Sequence, residues 1–365
     1  MRSGAMKNRD RVLLALHGER PDRCPMQISF TPEFAQRLRH DLALTAGDAE
    51  HNPHGGGNPY DLERALDEDL LLTSVGWANS YYAGGRSYTD EWGIGFCRVE
   101  YSTRFGTGSY TEIVSHPLAD EVAISSYAAP DPRRPELYQE PARVVREYGG
   151  QYWITGVTVC TIFETAWALR GLDRLLMDLS LNPDVAHAIL EIPFQYHLTA
   201  ARRLAELGVD MIWTGDDVGA QSSMIMSPRM WRTFLKPRMA RLVAEVKAVN
   251  PNLKVAYHSD GAIWPIIPDL IEIGIDVLNP LQPASMDPAE VQRLYGDRLC
   301  FWGSIDQQHT LPFGRPQDVA DEVRQRMATV GKKGGLILGP THHVQLDTPM
   351  ENFRAMVDAV REGYR

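Results

Sequence analysis

Eight short apolar runs, separated by stretches of helical character, constrain this chain more than any other feature. They fall at residues 25–29, 70–75, 152–159, 209–214, 253–259, 275–281, 299–304 and 334–339. Near-continuous apolar runs mark parallel strands covered on both faces, not a sheet with one wet side. Amphipathic stretches lie between most of the runs, and that alternation predicts an α/β fold with a parallel sheet. Eight such runs predict a single (β/α)8 TIM barrel.

Helix punctuation agrees. Ser227-Pro228 and Asp287-Pro288 each read as an N-cap followed by proline at the first helical position. Thr348-Pro349-Met350-Glu351 reads as a capping box, and Gly274 and Gly331 sit where helices should stop. Trp231, Leu235, Leu242 and Val246 recur near helical spacing and read as a core-facing stripe, with a kink expected at Pro237. Two segments interrupt the alternation. Residues 51–59 read as a flexible, turn-rich loop, too loose for His51 and His54 to hold a metal rigidly. Residues 87–114, around Gly106-Thr107-Gly108, read as an antiparallel β-hairpin inserted over the barrel mouth. With no repeat or linker in view, residues 1–365 read as one domain.

The formal net charge of −10 argues against nucleic acid as a partner, because phosphate binding needs a basic face. Cys24, Cys97, Cys160 and Cys300 form no CxxC pair, which fits reduced thiols in a cytoplasm. No apolar run approaches the roughly 18 residues of a membrane span. Met1–Ala5 and the basic stretch after them lack an apolar signal core, and Met6 reads as a native start.

In a β/α barrel the loops after the strand ends build the active site. Here those loops carry Gly215-Asp216-Asp217, His258-Ser259-Asp260-Gly261, Asn279-Pro280-Leu281-Gln282, Gly303-Ser304-Ile305-Asp306 and Pro340-Thr341-His342-His343. Asp216, Asp217 and Asp306 are candidate general acids, and Glu164, near the third strand end, is a further polar candidate for catalysis. Trp77, Tyr81, Tyr82, Trp92 and Trp302 are candidates to line an aromatic-ether pocket. Asn279, Gln282 and His343 complete the expected substrate contacts.

The stretch from Gly215 to Gln282 resembles the uroporphyrinogen decarboxylase superfamily. The likeness continues through Phe301-Trp302-Gly303-Ser304-Ile305-Asp306 and Thr348-Pro349-Met350-Glu351-Asn352, and it includes the opening from Arg9 to Arg23. It covers nearly the whole chain and implies a β/α barrel. The superfamily holds two chemistries. One branch decarboxylates porphyrinogens without a cofactor. The other moves methyl groups between a substrate, a corrinoid protein and an acceptor, usually with zinc.

The resemblance implies arginines after the first strand for the decarboxylase branch, but this chain reads Met26-Gln27-Ile28-Ser29-Phe30-Thr31-Pro32-Glu33-Phe34 there. That stretch has no arginine and an added carboxylate. The branch's tyrosine position, four residues before Gly171, holds Trp167. For the methyltransferase branch the resemblance implies a zinc-binding His-x-Cys pair and a later cysteine. His258-Ser259-Asp260 and His342 occupy those positions, so His258, Asp260 and His342 are the expected ligands of zinc or another divalent ion. The expected activity is methyl transfer from a small substrate, with the corrinoid supplied by a partner protein. The alternatives are a cofactor-free decarboxylase and a non-catalytic protein binding a small ligand or corrinoid. The oligomeric state stays open, a homo-oligomer included.

Overall fold

The structure, a computed structural model, describes residues 6–44, 51–82 and 84–364. Met1–Ala5, read above as preceding a native start, lie outside the described residues. Among the described residues there are ten strands: β1 (Leu70–Ser74), β2 (Ser87–Thr89), β3 (Gly95–Thr103), β4 (Gly106–Ser115), β5 (Trp153–Val157), β6 (Met211–Gly215), β7 (Lys254–His258), β8 (Val277–Asn279), β9 (Cys300–Ile305) and β10 (Leu336–Pro340). Seven form one parallel sheet in the order β1-β5-β6-β7-β8-β9-β10. β1, β5 and β6 are buried at every residue, as a sheet covered on both faces requires. Among the described residues no helix is long and apolar enough to cross a membrane.

The first expected run is not a strand, and the reason is chemical. Its β10 flank is backbone-paired, with Gln27 N donating to Leu338 O at 3.1 Å and Leu338 N to Pro25 O at 2.8 Å. On its β1 flank carboxylates take the place of carbonyls. Met26 N donates to Asp69 Oδ2 at 2.7 Å and Ile28 N to Glu68 Oε2 at 2.9 Å, and only Asp69 N returns a backbone bond, to Met26 O. Both edge strands of the sheet are therefore tied to one segment, 25–28, and the sheet is curled. Asp69 is fully buried and also accepts from Arg11 Nη1 and Arg23 Nη1, each at 2.6 Å. The arginines of the opening stretch thus anchor the start of the sheet, at the end opposite the polar loops.

The 87–114 segment has three strands, one more than a hairpin, in the antiparallel order β2-β3-β4. It is held by Thr111 Oγ1 donating to Tyr81 O at 3.0 Å and Ser109 N donating to Glu33 Oε1 at 2.9 Å. The 51–59 loop is not loose. Asn52 N donates to Asn58 Oδ1 at 2.8 Å, Asn58 Nδ2 returns a bond to Asn52 O at 2.9 Å, and His51 and His54 are buried. Gly55 shows why its glycines do not mean slack. With φ at +82°, a Cβ there would lie 2.1 Å from Leu72 O, so glycine lets the loop close onto β1.

Ser227 caps the helix Pro228–Phe234 by accepting from Met230 N, and Asp287 caps Pro288–Tyr295 by accepting from Ala289 N. Pro237 lies in the first turn of a second helix, Lys236–Val249, which follows the first after Leu235 alone, so the helix is interrupted where the kink was expected. The core-facing stripe is buried throughout. The expected box at Thr348 does not form. The helix Met350–Arg361 follows Pro349 with no side-chain cap, and Thr348 Oγ1 is buried without a partner.

Candidate functional site

Strand register assembles the site. Gly215 on β6 pairs with His258 on β7, and His258 pairs with Asn279 on β8, which brings three polar strand ends side by side. Gly215 makes the first junction feasible: φ is +113°, and a Cβ would lie 2.4 Å from His258 O. The chain then turns and sends Asp216 and Asp217 in different directions.

Asp216 is 1% exposed and points back at a neighbouring helix. Its carboxylate accepts from Ile162 N at 2.9 and 3.1 Å and from Glu164 N at 3.0 Å, at the start of the helix Phe163–Arg170. That helix has no cap of its own, so Asp216 satisfies its free donors from another strand. It does not line the cavity, contrary to its expected place among the acids.

Asp217 faces a cavity of about 260 Å³. Its Oδ1 accepts from Asp260 N at 2.7 Å and lies 3.4 Å from His258 Nε2. Asn279 Nδ2 donates to Trp302 O at 3.4 Å, which leaves its Oδ1 to accept from His258 Nδ1–H at 2.8 Å. That bond turns Nε2 toward Asp217. One donor atom each from Asp217, His258 and Asp260 lie within 4.8 Å of one another, a group able to hold a metal ion. The third expected ligand, His342, lines the same cavity but stands outside this group.

Glu164 lines the cavity and accepts from Asp217 N at 3.0 Å through Oε2. Burial, with Asp217 and Asp216 beside it, holds its carboxyl well above the usual range. His343 is buried on the opposite wall. Desolvation, with His342 and His54 nearby, pushes its imidazole far down, and burial takes His54 down to about 3, so both are neutral. Trp213 and Trp302, with centroids 4.7 Å apart, supply the apolar wall.

Other expected contacts lie elsewhere. Asp306 caps its own turn, accepting from Gln308 N at 2.8 Å and His309 N at 3.3 Å, away from the cavity. Trp77 and Trp92 are core residues, 2% exposed, and Trp77 Nε1 donates to Asp90. Gln282 accepts from Gly261 N at 2.9 Å and borders an outer opening beside Asp260 and His342. Tyr81, Tyr82, Trp302, Asn279 and His343 do reach the cavity.

Cys160, Trp213 and His54 also line it and were not among the expected contacts. Cys160 follows β5 with φ at +59°, a conformation that costs a non-glycine residue energy and clusters at functional sites. Its place just past a strand end was the signal available for it. Trp213 had a signal too, as the one aromatic in the run before Gly215. His54 had none, because only tertiary packing brings its loop to β10.

Among the described residues no arginine or lysine lines this cavity. Comparison with known proteins gives relatives of two kinds. Methylcobamide:CoM methyltransferase MtaA of Methanosarcina barkeri is 29% identical over 182 residues, half of each chain. Methylated-thiol–coenzyme M methyltransferase of Methanosarcina mazei is 25% identical over 203 residues, 55% of this chain and 51% of that one. These matches thus span about half the length of either methyltransferase. Uroporphyrinogen decarboxylase of Psychromonas ingrahamii is 23% identical over 266 residues, 68% of this chain and 70% of that one. A solved methyltransferase from Methanosarcina mazei shares the fold, with a TM-score of 0.70 at 19% identity over 98% of this chain and 99% of that one. Residues 99–363 match the uroporphyrinogen decarboxylase (URO-D) family, and the chain belongs to that family.

Proposed function

We propose that this protein is a methyltransferase that moves a methyl group between a small substrate and a corrinoid protein. The observation that carries this reading is the cavity wall, which has Asp217 and His258 of the Asp217–His258–Asp260 group and no arginine or lysine among its described residues. A porphyrinogen is a polycarboxylate and needs guanidinium partners, whereas this wall would repel it. A methyl group leaving a heteroatom needs a proton source or a Lewis acid at that atom. The names of the two Methanosarcina relatives lend support. We also read the sheet as a closed barrel in which residues 25–28 take the place of the eighth strand, and the chain as one domain. Its four unpaired cysteines fit a reducing cytoplasm.

Two carboxylates and an imidazole, the last already fixed through Asn279, suit zinc or another divalent ion. Bound to Asp217, His258 and Asp260, such an ion would supply Lewis acidity to the reacting heteroatom. Glu164 accepts the Asp217 N–H through Oε2, and its carboxyl, kept protonated by burial, serves as a general acid at the cavity wall. His342 and the neutral His343 orient the substrate by hydrogen bonds. Trp213 and Trp302 keep water off the reacting atom. With Trp77 and Trp92 in the core, Tyr81, Tyr82 and Trp302 are what remains of the expected aromatic-ether pocket.

Reduced cobalamin, as a stand-in for the corrinoid partner, tests this with a panel of O-, N- and S-methyl compounds. The expected result is an enzyme- and donor-dependent change in its visible spectrum, lost in Glu164→Gln and in His258→Ala. Carbon dioxide release from uroporphyrinogen, with no spectral change for any donor, would overturn the reading.

A further inference from the structure

A second chamber, of about 430 Å³, adjoins the cavity and shares Tyr81, Tyr82, His342 and His343 with it. Tyr101 from β3, Tyr110 from β4 and Glu33 add to its walls. Glu33 lies in the first turn of the helix Pro32–Asp41. It is the carboxylate found where the family resemblance leads one to expect arginine. Its Oε1 accepts from Ser109 N at 2.9 Å and Ser109 Oγ at 3.4 Å, while Oε2 is buried and has no partner. A buried carboxylate oxygen left unpaired is costly, and a cation in the chamber would relieve that cost. The other walls narrow the kind of cation. Tyrosine rings attract a cation over their faces, and one whose charge is spread over methyl groups loses little hydration there.

We propose that this chamber binds a small methylated ammonium ion, held by Glu33 and the rings of Tyr81, Tyr82, Tyr101 and Tyr110. Arg98 also borders the chamber. It stands opposite Thr111 on β4, two residues along from the Ser109 that anchors Glu33. An ammonium ion that also carries a carboxylate would meet both charges. As a methyl donor, this ligand rests on the methyl-transfer reading above; as a bound ligand it does not.

Calorimetric titration of the full chain with choline, and with the neutral analogue in which carbon replaces the nitrogen, tests the site. Choline is expected to bind at least about tenfold more tightly than the analogue, the scale of a partly desolvated cation–ring contact. Glu33→Gln keeps the acceptor for Ser109 and should weaken choline alone, and thermal unfolding checks that the variant is folded. Tyr110→Leu, at a ring 49% exposed and therefore safe for the fold, should also weaken choline. Equal affinity for choline and the analogue, or unchanged choline binding in Glu33→Gln, overturns the proposal. Binding is read without corrinoid or turnover. A chain that binds choline but transfers no methyl group keeps the chamber and loses the methyl-transfer reading, and the reverse result separates them equally.

Discussion

Asn279 touches no expected metal donor except His258, yet removing it should weaken zinc binding. The side chain is 6% exposed, and its amide is oriented at one end by Trp302 O. At the other end Oδ1 takes the His258 Nδ1–H at 2.8 Å, which fixes both the tautomer and the ring. In Asn279→Ala that N–H has no acceptor, at a cost of about 1–3 kcal/mol if the ring stays in place. The metal-free protein escapes the cost by turning the ring toward another partner, and metal binding must then reverse the turn. The loss therefore appears in affinity, at about 10- to 100-fold, the range typical for outer-shell partners of ligating histidines. That factor corresponds to about 1.4–2.7 kcal/mol, consistent with the hydrogen-bond cost. Competition against a zinc-binding dye at fixed pH measures it, with His258→Ala as the floor and His342→Ala expected to match wild type. Wild-type affinity in Asn279→Ala would refute the orienting role. A wild-type protein that takes up no zinc would refute the donor set itself.

Two predictions concern stability. Asp69→Asn should lose about 3 kcal/mol, the low end for breaking a buried ion pair, because Arg11 keeps Asp22 and Arg23 keeps Asp67. A loss below about 1 kcal/mol in urea unfolding, the size of an exposed pair, would mean the cluster is not what ties residues 25–28 to β1. Glu63 is 8% exposed, and burial raises its carboxyl to about 7. The unfolded chain releases that proton near the ordinary value of 4.5 while the folded one keeps it. Stability therefore falls by about 1.4 kcal/mol per pH unit between those two values. Glu63→Gln should flatten this slope, and parallel pH–stability curves for wild type and variant would show that Glu63 is not the source.

Much of this architecture is local and was therefore open to sequence reasoning. A strand buried on both faces must be apolar along its length, so all seven strands of the parallel sheet coincide with runs visible in the sequence, three of them ending one residue beyond. Caps such as Ser227 and Asp287 bond within three residues of themselves, and proline and glycine carry their dihedral limits with them. The polar strand ends were legible for the same reason: Asp217, His258, Asn279 and Glu164 do meet around one cavity, and Asp260 stands beside Asp217 at its edge.

What each carboxylate does at its strand end was not local. Asp216 and Asp217 are neighbours of the same type. One satisfies helix donors more than 50 residues away and the other faces the cavity, because Gly215 turns the chain against His258. Asp306 also follows a strand end but spends its oxygens on its own turn. The loop at 51–59 looked slack because glycine is read as freedom, whereas packing against β1 makes it a requirement for close approach. Residues 25–29 have a strand's composition, yet the carboxylates of Glu68 and Asp69 claim the N–H groups that a neighbouring strand would have used. The sequence by itself thus determined which segments are buried and which ends are polar, since burial and dihedral preference belong to each residue. Only the tertiary structure decided which polar groups pair and which face open space, since a hydrogen bond or a metal donor set depends on where the partner stands.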